Sequence, residues 1–278
     1  MIYLVLAVAS SAMVSLCMRL SERHVINNTS MLAMNYVMCV LMAGAFALPS
    51  GILPAGEGSA FTWFLGLVSG GLYLGSFLLL QWNIRINGVT LPATFMKLGV
   101  LVPTVMSMMV FAERPSLFQA LGILGAVAAI VMIRFEKGGA KAKSAAGLLA
   151  LLIGGGSTDA TSKIFEELGH AAQKNQFLFL TFAAALALCI LLAKKRGEGI
   201  CAVDAAFGLL IGVPNYLSSR FLLLSLASVP AVAAYPTYSV GTIIVITLLS
   251  RLLFKEQLSR KQMAALAVIL VSLALLNL

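Results

Sequence analysis

Long apolar runs, divided by short polar breaks, follow one another along the whole chain. An apolar run of about 20 residues is long enough to cross the roughly 30 Å hydrocarbon core of a bilayer as an α-helix. The pattern therefore predicts an all-α integral membrane protein without a soluble domain. The ten predicted spans are 2–19, 29–48, 60–84, 89–111, 116–134, 145–166, 174–193, 203–227, 229–253 and 260–277.

Composition agrees with this pattern. The 278 residues are 60% hydrophobic and only 10% charged, and the mean hydropathy is +1.00, which lies outside the range of soluble globular domains. The first span begins at Ile2 without a basic region before it, so we interpret it as a retained helix rather than a cleaved signal.

Basic residues are distributed unevenly between the two sides of the predicted bundle. Of the 19 Lys and Arg residues, 14 fall on loops opposite the N-terminus, three fall on the N-terminal side, and Lys97 and Arg220 lie inside spans. The positive-inside rule then predicts a protein of the cytoplasmic membrane with both termini outside. Orientation and anionic lipid account for the net charge of +9, so we expect no nucleic-acid partner.

The KGGAKAK segment divides the chain into two halves of five spans each. The predicted units are a first repeat at 1–136, a cytoplasmic linker at 137–144 and a second repeat at 145–278. Because five is an odd number, the second half must lie upside down relative to the first. Such inverted repeats are typical of secondary transporters and predict a site between the halves near the midplane.

Sequence similarity between the halves supports this division. FAERPSLFQ at 111–119 aligns without gaps on FKEQLSRKQ at 254–262, an offset of 143, and FLLL at 77–80 matches FLLL at 221–224, an offset of 144. The two halves therefore read as copies of one unit.

Several repeated features have a structural explanation. S-x-x-Q capping boxes begin the fifth and tenth spans at Ser116 and Ser259. Glu113 and Glu256 lie three residues before these caps, where water reaches, which favours a structural role over proton coupling. The glycines of 66–75 have the small-xxx-small spacing that lets membrane helices approach closely.

Together these features resemble the EamA branch of the drug/metabolite transporter superfamily. The resemblance rests on two inverted five-helix repeats, on the glutamate-to-glutamine motif at 113–119 and 256–262, and on short hairpins between spans three and four and between eight and nine. It implies alternating-access transport of small metabolites or drugs through a central cavity, without a cofactor. It identifies no substrate. Several members of that family are described with both termini in the cytoplasm, whereas the charge distribution here predicts both termini outside.

Three charged residues lie inside the predicted spans: Lys97, Asp159 and Arg220. Each costs about 2.5–3.5 kcal/mol at a helix centre, so they should face the protein interior. The repeat does not require them, because Lys97 aligns with Val240, Asp159 with Ser15, and Arg220 with Ser76 or Phe77.

Depth along the helices groups these residues. At about 1.5 Å of rise per residue, Asp159, Arg220 and Tyr235 lie roughly 9–10 Å from the outer helix ends. Lys97 lies roughly 12 Å from the cytoplasmic end, in a second layer with Asn35. The sequence thus predicts a substrate between two layers.

Each charge also has a structural alternative. Asp159 has Lys163 four residues on, the favourable order for a helical ion pair, or it pairs with Arg220, or it binds a substrate or a proton. Arg220 is alternatively a structural tie to Asp159 or to helix-end carbonyls. Lys97 is alternatively a side chain that snorkels to the cytoplasm.

Prolines indicate where the helices break. Pro103, Pro214 and Pro236 lie inside spans, and each frees the carbonyl four residues earlier. Such breaks are tolerated where they line a cavity or are buried in protein, so ordinary kinked packing remains an equal alternative. The candidate cavity residues, besides the charges and Asn35, are Tyr73, Asn215, Tyr216, Tyr235, Tyr238 and Ser239.

The surplus of positive charge among these residues favours a small anionic or zwitterionic substrate, such as an amino acid or a carboxylate metabolite. The alternative is a cationic compound exchanged against protons through Asp159, although the first span has no acidic residue before Glu22, unlike small multidrug exporters. A sensor or assembly subunit would not explain an inverted repeat, and no nucleophile-base pair or metal cluster indicates an enzyme. The expected partners are a small molecule and the bilayer. Proton or ion coupling, and the choice between monomer and homodimer, stay open.

Overall fold

The computed structural model is helical throughout the part of the chain that it describes. It describes residues 2–102, 106, 116–118, 120–122, 124–125, 128, 144–226, 231–255, 258 and 260–275. The helices are α1 (Ile2–Ser21), α2 (Asn28–Ala47), α3 (Ser59–Asn87), α4 (Thr90–Leu98), α5 (Ala145–Leu168), α6 (Lys174–Arg196), α7 (Ala202–Leu226), α8 (Ala231–Phe254) and α9 (Arg260–Leu275).

These helices agree with the apolar pattern. Except for α4, each described helix begins and ends within three residues of its predicted span. Five helical segments in the described ranges are long and apolar enough to cross a membrane: Ile2–Ser21, Asn28–Ser50, Ser59–Asn87, Ala171–Lys195 and Thr237–Phe254. The chain is therefore a multi-pass membrane protein. Most of the predicted span 116–134, Glu113, Glu256 and the linker at 137–143 lie outside the described residues.

α4 ends inside its predicted span of 89–111, beside a charged residue, and positions 103–105 and 107–111 of that span lie outside the described residues. α4 ends at Leu98, one residue after Lys97, and the Gly99 carbonyl accepts a hydrogen bond from the Val102 N–H at 2.8 Å. In a continuous helix that carbonyl would accept from residue 103, but Pro103 has no N–H. The sequence thus explains why the helix breaks directly after Lys97.

Helices of the first half pack against helices of the second half in matched pairs. α2 packs on α7 as α3 packs on α6, α1 packs on α7 as α3 packs on α5, and α1 packs on α8 as α4 packs on α5. The correspondence is α1 with α5, α2 with α6, α3 with α7, and α4 with α8. Replacing each helix by its counterpart converts the first packing pair of each comparison into the second. The two remaining major contacts, α2 with α6 and α4 with α8, map onto themselves.

The counterpart helices α2 and α6 run in opposite directions. Just beyond the end of α2, the Gly51 carbonyl accepts a hydrogen bond from Gln176 Nε2 at 3.0 Å, close to the start of α6. Near the start of α2, the Thr29 carbonyl accepts from Cys189 Sγ at 3.3 Å, in the second half of α6. Each helix therefore ends where its counterpart begins.

Two glycine seams close the matched pairs α3–α6 and α2–α7. A Cβ on Gly70 would lie 2.6 Å from Ala184 Cβ, and a Cβ on Gly212 would lie 2.6 Å from Met38 Cβ. Gly66 and Gly208, four residues earlier on each helix, are equally tight. Each seam thus packs two glycines, four residues apart, against the neighbouring helix. The glycines of the second seam follow those of the first by 142 residues.

Two loops of the first half are tied to helix starts of the second half. The Asp204 carboxylate, at the start of α7, accepts from the backbone N–H groups of Ile26 and Asn27, just before α2, at 2.9 and 3.2 Å. On the opposite side, the Gln173 amide donates to the carbonyls of Ala55 and Glu57 at 3.2 and 3.1 Å. The loop is therefore held by a carboxylate at one end of the bundle and by a neutral amide at the other.

Candidate functional site

A cavity of about 150 Å³ lies between the two halves of the bundle. Side chains of α1, α3 and α4 from the first half and of α5, α6, α7 and α8 from the second half line it. Among the described residues, seven serines and two threonines contribute to its wall, so the lining is rich in hydroxyl groups although the spans are apolar.

Lys97 and Asp159, from different halves, face this cavity. Lys97 Nζ lies 3.8 Å from the centroid of the Tyr238 ring, a cation–π contact. The Asp159 side chain is exposed to the cavity, and no described side chain or backbone group forms a hydrogen bond or an ion pair with it. The two opposite charges therefore share one cavity without contact.

Adjacent serines of α7 hold two tyrosines at the cavity wall. Ser218 Oγ hydrogen-bonds to Tyr238 Oη at 2.7 Å, and Ser219 Oγ hydrogen-bonds to Tyr73 Oη at 3.0 Å. Asn215, one turn earlier on α7, also lines the cavity. The Tyr238 hydroxyl is thereby fixed, and its ring is a defined platform under the Lys97 ammonium.

The cavity walls are matched between the halves, but the charges are not. Ser76 and Ser218, which line the cavity from α3 and α7, are 142 residues apart, the same offset as the glycine seams. Ser15 of α1 and Asp159 of α5, which the sequence analysis aligned, also both line the cavity, at a separation of 144 residues. At that aligned pair, the first half has a hydroxyl where the second half has a carboxylate.

The predicted pair between Arg220 and Asp159 is wrong for this structure. Arg220 Cζ lies 3.5 Å from the centroid of the Phe46 ring, and Nη1 donates to Asn175 Oδ1 and to Tyr216 Oη, both at 3.4 Å. Tyr216 and Arg220 are four residues apart and share one face of α7, directed at α2 and α6. Arg220 does not line the cavity.

The alternative prediction, an ion pair between Asp159 and Lys163 on one helix, is also wrong. Lys163 Nζ instead pairs with Glu167 Oε1 at 2.6 Å, at the exposed end of α5. Asp159 is therefore neutralised by neither of the basic residues that the sequence offered as partners.

Several other predicted site residues lie behind the cavity wall. Asn35 is fully buried, and its Oδ1 accepts from Asn215 Nδ2 at 3.2 Å, so it supports the wall and does not form a second layer with Lys97. Tyr216 and Ser239 are buried in helix packing and do not line the cavity. The side chain of Tyr235 lies outside the described residues.

Lys174 is a cavity residue that the sequence analysis counted only among the three basic residues on the N-terminal side. It is the first residue of α6 and lines the cavity near the stacked rings of Phe165 and Phe177, whose centroids are 4.2 Å apart. Serines at helical spacing within apolar spans, such as Ser11 and Ser15, were the sequence feature from which the hydroxyl-lined wall of the cavity could have been predicted. In the described part of the chain, no group of three or more His, Cys, Asp or Glu residues is placed to hold a metal ion.

Comparison with known proteins agrees with this description. The family model of the Small Multidrug Resistance protein matches residues 175–269, which run from α6 into α9. A crystal structure described only as that of a protein has a TM-score of 0.68 at 14% identity, over 99% of this chain and 94% of that one, which shows a shared fold alone. No curated protein sequence matches the chain. The family match and the apolar helices support a membrane transporter of small molecules, and the matching family is one of transporters rather than enzymes.

Proposed function

We propose that the protein moves a small zwitterionic or anionic metabolite, such as an amino acid or a carboxylate, across the cytoplasmic membrane. The observation that carries this proposal is the pair of separated charges: Lys97 and Asp159 face one cavity and do not contact each other. Unpaired charges at membrane depth are costly, so a bound substrate that satisfies both would gain from each.

The cavity is suited to a zwitterion. A substrate carboxylate would bind the Lys97 ammonium beside the Tyr238 ring, and a substrate ammonium would bind the Asp159 carboxylate. Serine and threonine hydroxyls around them supply further hydrogen bonds. Lys174 adds a second cation, so the surplus positive charge inferred from the sequence is retained although Arg220 faces elsewhere.

Alternating access between two inverted five-helix repeats, 1–136 and 145–278, is the proposed mechanism, as in the EamA branch of the drug/metabolite transporter superfamily. The matched packing pairs and the opposite directions of α2 and α6 support it. In such folds, alternating access is largely rigid-body rocking of one repeat against the other around a fixed substrate site.

Proton-coupled export of a cationic compound is the second candidate, favoured by the family match. The acidic residues inside the matched segment are Glu198, Asp204 and Glu256. Asp204 binds the backbone before α2, and Glu198 lies in the loop before α7. Export of a cation would therefore depend on Asp159, the acidic residue that lines the cavity outside the matched segment.

Replacing Asp159 by asparagine separates the two candidates. A zwitterion should bind about 10-fold or more weakly, because a charged hydrogen bond worth ~1.5–3 kcal/mol is lost, whereas a simple carboxylate should bind at least as well as before. The measurement is calorimetry of purified wild type and Asp159→Asn with amino acids, carboxylates and quaternary amines. Loss of amine binding alone, with amino-acid and carboxylate affinities unchanged, would favour the cation exporter.

Membrane orientation gives a separate test. Because most basic residues lie opposite the N-terminus, a cysteine at Gly199 in the α6–α7 loop should resist membrane-impermeant thiol reagents in intact cells. A cysteine at Ala55 in the α2–α3 loop should react readily. Both positions are exposed, and the four native cysteines are replaced beforehand. The reverse labelling pattern would place both termini in the cytoplasm.

A further inference from the structure

Arg220 is a cation that does not line the proposed transport cavity. It lies on the face of α7 that is turned towards α2 and α6, away from the cavity wall. The ion pairs between described side chains join Arg19 to Glu22, Lys163 to Glu167 and Arg196 to Glu198, and none includes Arg220. Its positive charge is therefore not compensated by a carboxylate in the described part of the chain.

The donors of Arg220 are only partly used. Both of its hydrogen bonds, to Asn175 and Tyr216, come from Nη1 and are long, at 3.4 Å. Within the described residues, the N–H groups of Nε and Nη2 have no acceptor. A guanidinium presents five donors in a planar fork that fits the oxygens of a carboxylate or a phosphate. One edge of this fork is thus left for an external anion.

The position of the guanidinium corresponds to the membrane surface. Its neighbours are Phe46, next to the last residue of α2, and Asn175, the second residue of α6. Arg220 itself lies six residues, about 9 Å, before the end of α7, a distance that an arginine side chain spans by snorkelling. The charged group therefore lies at the level where these helices end, which is where lipid headgroups begin.

The surroundings of Arg220 face lipid rather than an aqueous path. The Phe46 ring under the guanidinium is 42% exposed, and Leu48 just beyond α2 is 64% exposed. Phe46 also stacks on Tyr216, with centroids 5.8 Å apart, which fixes the ring as a platform. An anion bound here would have its charged part on Arg220 and an apolar surface beside it.

We propose that Arg220 binds the phosphate of an anionic phospholipid, in the groove between the end of α2, the start of α6 and the outer part of α7. The neutral oxygens of Asn175 and Tyr216 hold one edge of the guanidinium, Phe46 supports its face, and the remaining edge takes the phosphate oxygens. Among the described residues, Arg220 has no carboxylate partner that could receive a choline or ethanolamine ammonium, so a net anionic headgroup is favoured over a zwitterionic one. The site is separate from the transport cavity and independent of the identity of the substrate.

The test is lipid binding by the purified full chain in a neutral detergent, measured by native mass spectrometry and by the shift in melting temperature. Phosphatidylglycerol should bind and stabilise the wild type more than phosphatidylcholine does. Arg220→Met should bind phosphatidylglycerol about fivefold more weakly, equivalent to ~1 kcal/mol for one basic residue at an anionic surface. Arg220→Lys should be intermediate, because it keeps the charge and loses the fork.

Matched controls keep the result specific. Arg251→Met removes an exposed arginine from α8 and should weaken phosphatidylglycerol binding less than Arg220→Met does. Phe46→Leu keeps Arg220 and removes its platform, so it should weaken phosphatidylglycerol binding even if Arg220→Met does not fold. Unchanged binding in both Arg220→Met and Phe46→Leu would overturn the proposal. Equal stabilisation of the wild type by inorganic phosphate would also overturn it, because the site would then bind a free anion and not a lipid.

Discussion

Replacing Lys97 by methionine should remove most of the affinity for a carboxylate-bearing substrate and leave the protein folded. In the described structure, Lys97 Nζ contacts the Tyr238 ring and forms no ion pair, so no carboxylate loses a salt bridge in the variant. Methionine has a similar length and removes an insertion cost of about 2.5–3.5 kcal/mol. Loss of a charged hydrogen bond should weaken binding by ~1.5–3 kcal/mol, or about 10- to 150-fold.

Calorimetric affinity and melting temperature, measured together, check this result. Lys163→Met is the matched control, because Lys163 pairs with Glu167 at the exposed end of α5 and does not line the cavity. It should bind substrate like the wild type. Lys97→Arg should restore binding only in part, since a planar fork presents its donors differently from an ammonium. If Lys97→Met binds substrate with unchanged affinity, the Lys97 side chain only snorkels to the membrane surface. The substrate carboxylate would then have to bind Lys174 instead.

Helix positions were predictable because the bilayer imposes a simple rule on the sequence. Every residue of a span must be compatible with lipid or with buried packing, so the ends of apolar runs mark the ends of helices. The break in α4 was predictable for an equally local reason, since Pro103 cannot donate to the Gly99 carbonyl. These features depend on a few neighbouring residues, and a single sequence contains that information.

The direction in which a side chain points was not predictable from depth. Asp159 and Arg220 were grouped because they lie at similar distances from the helix ends. Ser218 and Ser219 face the cavity, whereas Arg220, the next residue on α7, is turned to Phe46. Each residue step rotates a helix by about 100°, so equal depth leaves the facing side undetermined. Packing partners from distant parts of the chain decide it.

The sequence match and the helix packing give different offsets between the two halves. The FLLL match indicated 144 residues for the third and eighth spans, whereas the glycine seams and the matched serines Ser76 and Ser218 give 142. Short apolar sequences such as FLLL recur by chance in membrane helices. Glycines at a close helix crossing are constrained by geometry, because any Cβ there would overlap the neighbouring helix, and they are therefore the better register marker.

Gly70→Ala should destabilise the protein, whereas Gly75→Ala, on the same helix, should stabilise it. A Cβ on Gly70 would lie 2.6 Å from both the Thr181 carbonyl oxygen and Ala184 Cβ, so α3 and α6 must separate. Overpacking of this kind costs about 1–3 kcal/mol. A Cβ on Gly75 meets no atom within 4 Å, and alanine there gains up to about 1 kcal/mol of helix propensity. The same chemical change should therefore shift the melting temperature in opposite directions.

The matched seam supplies an internal replicate of this result. A Cβ on Gly212 would lie 2.6 Å from both the Asn35 carbonyl oxygen and Met38 Cβ, so Gly212→Ala should destabilise the α2–α7 pair about as much as Gly70→Ala destabilises the α3–α6 pair. Melting temperatures of the three purified variants in one mild detergent provide the comparison. A Gly70→Ala variant as stable as Gly75→Ala would mean that the helices separate at little cost. Loss of stability in Gly70→Ala but not in Gly212→Ala would show that the two seams are not equivalent, and the support that they give to an inverted repeat would be withdrawn.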